Sequence, residues 1–173
     1  QISAFIAIGA MVNQWESERI ALKLMKAKAV RERDTTALNE LNQIQIPFQS
    51  GEQLYFHRKG LFTMAGLKPS FSKTYVVNWA STWLQVFNEA SAENLFESLP
   101  VVQCPIYFFA GRNDFQTNSA LVEQYFNRIE ATTKRLYWFE DAGHSIPATK
   151  GTKMQSIIID EIRKNLPDQK SND

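Results

Sequence analysis

A single cysteine, Cys104, in 173 residues excludes an internal disulfide, so a reducing cytoplasm is the expected compartment. Cys104 directly precedes an apolar run and reads as a small packing residue rather than a nucleophile. Net charge of one sign is lacking too, with 19 basic residues against 18 acidic ones, which removes the electrostatic reason to expect a nucleic-acid partner. The apolar run at the amino terminus, Ile2 to Val12, is too short to cross a bilayer and has neither the basic flank nor the cleavage site of a secretory signal, so no membrane partner is expected. Internal repeats and low-complexity tracts are absent. No metal or cofactor is expected. No serine has glycine two positions away on both sides; Ser81, inside a helical run, and Ser145 are typical. The chain opens at Gln1, already within a strand-like run, which raises the expectation of a piece of something longer.

What is present is ample core material. Hydrophobic residues make up 44% of the chain, with 12 Phe, 5 Tyr and 4 Trp, too apolar a composition for disorder. The order of signals from Cys104 to His144 organises the rest. Ile106 to Ala110 has the length and aromatic content of a strand buried on both faces, and Gly111-Arg112-Asn113-Asp114 puts a carboxylate just past its carboxyl end. Leu121, Val122, Tyr125, Phe126 and Ile129 then recur at helical spacing. A second strand-like run, Arg135 to Phe139, leads through Glu140-Asp141-Ala142-Gly143 to His144. In an open α/β sheet, reactive side chains gather outside the carboxyl ends of parallel strands, where Asp114 and His144 would both lie. Asp141 is the rival acid, but it stands too close to His144 in sequence and belongs to the turn.

The preceding segment reads as helical. Ile2 to Ile8 has the composition of a buried parallel strand. Asn13 and Glu16 have capping-pair spacing, and Ile20, Leu24, Ala27 and Val30 mark the expected apolar face of a helix from Glu16 to about Arg33. Asp34-Thr35-Thr36 supplies caps for a second helix with Leu38, Leu41 and Ile44, stopped by Pro47. Ser50 with Gln53 opens a third, reaching Gly66; Val76, Trp79, Trp83, Val86 and Phe87 define a fourth from about Tyr75 to Asn88; Ser91 starts a last short one ending near Leu99. No strand is expected between 13 and 98. His57, the other histidine, has no acid at helpful spacing and receives no role. After His144 the chain is expected to turn at Pro147 and Gly151. A closing helix then carries Met154, Ile157, Ile158, Ile162 and Leu166 on its apolar side and stops at Pro167.

The Pro105 to Asp114 segment with its G-x-x-D ending and the Trp138 to His144 segment, in this order around one helix, resemble the end of the α/β-hydrolase family. Gly9-Ala10-Met11-Val12-Asn13 in turn resembles what serine hydrolases of the proline-iminopeptidase-like kind carry after the sixth strand, where the lid begins. The resemblance implies the C-terminal part of an α/β-hydrolase fold: the last three parallel sheet strands with flanking helices, plus a helical lid. Residues 1–12 would hold a core strand, 13–98 the lid, 99–167 the remaining core, and 168–173 a disordered tail.

By the same resemblance Asp114 is the triad acid and His144 the base of an acyl-enzyme mechanism acting on a small ester or an amino-terminal peptide bond. The nucleophile of the family sits in G-x-S-x-G, which this sequence lacks. The implied reading is a C-terminal fragment that is inactive alone, with strand 2–8 at a broken edge. Such a chain is expected to self-associate or to pair with the missing N-terminal half. The implied substrate is a small molecule or short peptide. Trp15, Trp79, Trp83 and Phe87 are candidates to line its pocket, with packing between helices as the ordinary alternative. Glu18, with Glu16, is a candidate to hold a substrate ammonium, although an acid in a first helical turn is favoured simply by the helix dipole. Two other readings remain open: a relative with an aspartate nucleophile, such as an epoxide hydrolase or dehalogenase, and a non-catalytic ligand-binding module of the same fold.

Overall fold

The computed structural model describes residues 2–166; the expected stop at Pro167 and the tail from 168 to 173 lie outside the described residues. Three strands form a parallel sheet in the order β1 (Phe5–Ile8), β3 (Ile106–Gly111), β5 (Lys134–Phe139). Phe5 pairs with Ile106 on one side of the central strand, and Ile106 with Lys134 on the other. Every residue of β3 is buried. Its alternate side chains serve two separate cores, as the two-residue period of a strand requires. Ile106, Phe108 and Ala110 pack with Leu121, Val122, Tyr125 and Ile129, the apolar stripe at the start and end of α6 (Ser119–Arg128). Tyr107 and Phe109 pack on the opposite face with Phe139, Ala142, Ile146, Ile157 and Ile162. A short parallel pair, β2 (Val101–Val102) with β4 (Glu130–Ala131), has no counterpart in the sequence expectations, because two residues carry no periodicity.

β1 is shorter than the 2–8 run and less buried than its composition suggests, and it stands at the edge expected for it. Phe5 is 51% and Ile8 38% exposed, because β1 is the edge of the sheet among the described residues and pairs with β3 alone.

Between β1 and β2 run α1 (Gln14–Glu32), α2 (Thr35–Asn42), α3 (Gly51–Met64), α4 (Lys73–Ser91) and α5 (Leu95–Ser98). The caps are side-chain acceptors at the expected positions: Asn13 for Glu16 N, Asp34 for Ala37 N and Ser50 for Gln53 N. Gln53 does not return its side chain to its own cap. Its Oε1 instead accepts from the backbone N–H groups of Gln45 and Gln49, tying down the loop before α3.

Two helix faces differ from the periodicity reading. α1 buries Gln14, Ser17, Glu18, Ala21, Met25 and Ala29, while Leu24 and Val30 face solvent. Small and polar residues line the buried face because α1 lies close against its neighbours and its three polar side chains there find partners. α4 likewise buries Val76 and Ala80 and exposes Trp83 and Val86. It crosses α3 at Gly51, where an added Cβ would lie 2.8 Å from both the Ala80 Cβ and the Val77 Cα. Three boundaries also move. Asn94, not Ser91, caps α5, and Ser91 closes α4. α2 ends at Asn42, well before Pro47. α7 (Ile146–Ile157) starts ahead of Pro147, a residue tolerated in a first turn. Gly151 therefore lies inside α7, just past a kink at Lys150, and the helix continues as a π turn, Ile158–Ile162.

Candidate active site

The site forms where β3 and β5 end. Beyond Gly111 the chain turns, with Asp114 N donating to Gly111 O, Arg112 N to Phe139 O and Asn113 N to Ala142 O. These bonds hold the 111–114 turn against the loop that follows β5. A Cβ on Gly111 would collide with the Ala142 and Gly143 carbonyls, so only glycine allows the two loops to approach this closely.

The approach brings together Asp114 and His144. His144 Nδ1 lies 3.0 Å from Asp114 Oδ2. A carboxylate only accepts, so Nδ1 carries the proton, and Nε2 is left as the basic nitrogen. The imidazole is 38% exposed while the Asp114 carboxylate is almost wholly covered. The carboxylate is further fixed by donors from its own loop: Gln116 N at 2.9 Å and Thr117 N at 3.0 Å to Oδ1, and Thr117 Oγ1 at 2.7 Å to Oδ2. Burial pushes the Asp114 carboxyl up, but the bonds from His144 and Thr117 outweigh it and hold the group below the ordinary carboxylate range. Asp114 therefore stays ionised at neutral pH. Gly9, at the end of β1 with φ +55°, backs the pair: a Cβ there would sit 3.1 Å from the imidazole and 3.6 Å from Asp114 Oδ2. Sequence reasoning passed over both Thr117 and Gly9; the Asp-x-x-Thr spacing, an ordinary turn signal, was the available cue for Thr117.

Asp141 points to solvent, 3.9 Å from Lys150 Nζ. Ser145 stands at the start of α7 without a capping bond from its side chain.

Glu18 lies apart from the pair, between α1 and α3. Its carboxylate takes a bidentate pair from Arg58, at 2.7 Å and 2.8 Å, and a bond from Gln14 Nε2 at 2.7 Å. Burial raises the Glu18 carboxyl, yet Arg58 prevails and holds it low. His57 is wholly buried beside it. Its Nε2 donates to the Glu18 carbonyl at 3.1 Å, and Nδ1 accepts from Arg58. Burial drives this imidazole down to about 4, so it is neutral at pH 7, and its 3.2 Å approach to the Glu18 carboxylate is not an ion pair. Glu16, by contrast, is surface-exposed and pairs with Arg19.

Trp79 lines a cavity of about 200 Å³ with Leu54, Arg58, Phe71, Tyr75, Val76 and Phe87. The Arg58 guanidinium lies 5.7 Å from the centre of the Phe87 ring there. Trp83 is 52% exposed and outside that lining. Trp15 is half-buried, with its indole N–H covered and no protein acceptor among the described residues. Among the described residues no group of three or more His, Cys, Asp or Glu is arranged to hold a metal ion, and no helix is long and apolar enough to cross a membrane.

No family model matches the chain. It is 33% identical over 52 residues to a probable aminopeptidase, YbaC, of Bacillus subtilis (strain 168), a match covering 30% of this chain and 16% of that protein. Two solved structures are similar in shape. An esterase (EaEST) from Exiguobacterium antarcticum aligns over 93% of this chain and 57% of its own, with 15% identity and a TM-score of 0.46. MenH from S. aureus aligns over 94% and 59%, with 14% identity and a TM-score of 0.48. The chain thus spans less than two thirds of the length of each of these three proteins. In fold class it is α/β, a parallel sheet with flanking helices and a helical region between its first two long strands, as the resemblance to α/β hydrolases implied.

Proposed function

We propose that this chain supplies the acid and base of a nucleophile-acid-histidine triad in an α/β hydrolase that cleaves a small ester or an amino-terminal peptide bond through an acyl-enzyme. The observation that carries this reading is the His144 Nδ1 to Asp114 Oδ2 bond, made by a buried, ionised carboxylate, which leaves Nε2 of a half-exposed ring free of that contact. Such a ring takes a proton at Nε2 from an attacking hydroxyl and returns it to the leaving group, while the carboxylate fixes the tautomer and stabilises the imidazolium.

No G-x-S-x-G stands among these residues, so the nucleophile and the oxyanion-hole amides belong to polypeptide outside them. Without them these 173 residues are expected to turn over nothing efficiently. The helical region from α1 to α5 acts as a lid that excludes water, and the aromatic cavity bearing Trp79 accepts the apolar part of the substrate. The 52-residue similarity to a probable aminopeptidase supports aminoacyl amides over simple esters.

Steady-state hydrolysis of aminoacyl p-nitroanilides and p-nitrophenyl esters by the complete protein tests this. With the fold intact, His144→Ala is expected to lower kcat roughly 10⁶-fold and Asp114→Asn roughly 10⁴-fold. Turnover within a few-fold of the parent in His144→Ala would rule the triad reading out.

A further inference from the structure

We propose that Gln14 is a positioning residue: its side-chain amide ties the first turn of α1 to the loop that carries Asp114, so that the helical region sets the acid's alignment with His144. The inference rests on the triad reading above and adds to it a residue outside both catalytic loops.

Gln14 is the first residue of α1 and is 3% exposed. Its Nε2 donates to Gln116 O at 2.9 Å and to Glu18 Oε1 at 2.7 Å. Both partners are acceptors, so the amino end of the amide must face them and the side chain has one orientation. The carbonyl it holds is half of the peptide unit joining Gln116 to Thr117. The other half, Thr117 N–H, donates to Asp114 Oδ1 at 3.0 Å. One rigid peptide plane is thus gripped from the helical side by Gln14 and grips the acid on its far side. Aligned dipoles in such a chain of bonds strengthen one another in a buried setting.

Gln14 is itself anchored. Glu18, one turn along α1, is clamped by the Arg58 fork from α3, so the amide cannot swing away without leaving a buried carboxylate short of a donor. A second, apolar tie runs in parallel: Phe115, the residue after Asp114, packs against the buried cluster of the helical region. Contacts from the helical region therefore reach the acid loop at 115 and 116, next to the backbone N–H groups of 116 and 117 that cradle the carboxylate.

The test uses the complete protein with Gln14→Leu, which removes the donor at similar volume. The expected result is a kcat lowered roughly 10- to 100-fold with KM within about threefold, the size of effect that misplacing a catalytic group produces. The Nδ1–H proton of His144, observed by NMR as a downfield resonance in the parent, is expected to broaden or move upfield. A purely structural role would lower the melting temperature and leave kcat and that resonance within twofold, and this result would overturn the proposal. Should Gln14→Leu fail to fold, Gln14→Met carries the test, since an uncharged thioether of similar length cannot donate to Gln116 O and sets no second carboxyl beside Glu18, and the same losses are expected. Failure of the triad reading is distinguishable: there His144→Ala would retain turnover, while the Nδ1–H resonance of the Gln14 variants would still report on the bridge.

Discussion

At the scale of single residues, the site depends as much on what a position leaves out as on what it supplies. Gly9 adopts φ +55°, costly for any other residue, and its missing side chain leaves the space that the His144 ring occupies. Gly9→Ala is therefore expected to lose roughly 1–2 kcal/mol of stability from the backbone alone. It should also displace the imidazole, read as a kcat decrease of at least tenfold in the complete protein and checked by thermal melts alongside turnover.

His57 gives a second residue-level expectation. Its folded value near 4 lies below the ordinary 6.5, so between those pH values the unfolded chain binds a proton that the native one refuses. The stability this confers is complete above 6.5 and declines as the pH falls toward 4, by on the order of 3 kcal/mol at most. Asp114 and Glu18, whose folded carboxyls are held low, lose their contributions only at more acid pH, below their unfolded values near 4. Urea unfolding at a series of pH values should show the slope between 6.5 and 4, and His57→Gln should flatten it. The place of His57 does not follow from sequence spacing: its Nε2 bonds to the backbone carbonyl of Glu18, 39 positions away and on another helix.

Among the elements, the starts of α1, α2 and α3 and the apolar stripe of α6 were legible, and the buried faces of α1 and α4 were not. Asn13, Asp34 and Ser50 cap where their side-chain chemistry says they should, because a cap satisfies backbone groups within its own turn. The buried face of α1 is a different matter. Leu24 and Val30 were the apolar residues in view, yet the helix turns its Ala, Ser and Glu side inward, since Glu18 finds Arg58 on α3 and small residues permit close approach. That pair joins α1 to α3, and breaking one half is expected to be worse than removing both. Arg58→Met, which strands a buried carboxylate, should cost about 3–5 kcal/mol, and adding Glu18→Gln should recover more than half of it. A double-mutant cycle by urea denaturation measures the coupling.

Across the whole molecule, the apolar residues gather into separate cores. One, with Ala21, Met25, Leu41, Phe48 and Leu61, lies wholly among α1 to α4 and the loops joining them, whereas the two faces of β3 anchor the others. Cavities in these cores should be felt in different places. Leu41→Ala is expected to cost about 2–5 kcal/mol and to raise amide exchange mainly in α1 to α3. Phe108→Ala, in the sheet core, should cost about 3–5 kcal/mol and open β1, β3 and α6 instead. Hydrogen exchange read by mass spectrometry separates the two patterns. Between the cores run Gln14 and Phe115, which makes the acid loop the place where the sheet and the helical region meet.

The order strand, acid, helix, strand, histidine was written in the chain, because each of those signals is local: a run of apolar residues, a turn, a periodic stripe. From it follow the parallel sheet and the strand-end positions of Asp114 and His144, since a right-handed crossover leaves little other arrangement. Only the tertiary structure decided which side of α1 and of α4 is buried, that Thr117 and Gly9 frame the pair, and that Gln14, Glu18, His57 and Arg58 form one buried network. Those features depend on contacts between residues far apart in sequence, and no local pattern records which distant side chain will satisfy a buried charge.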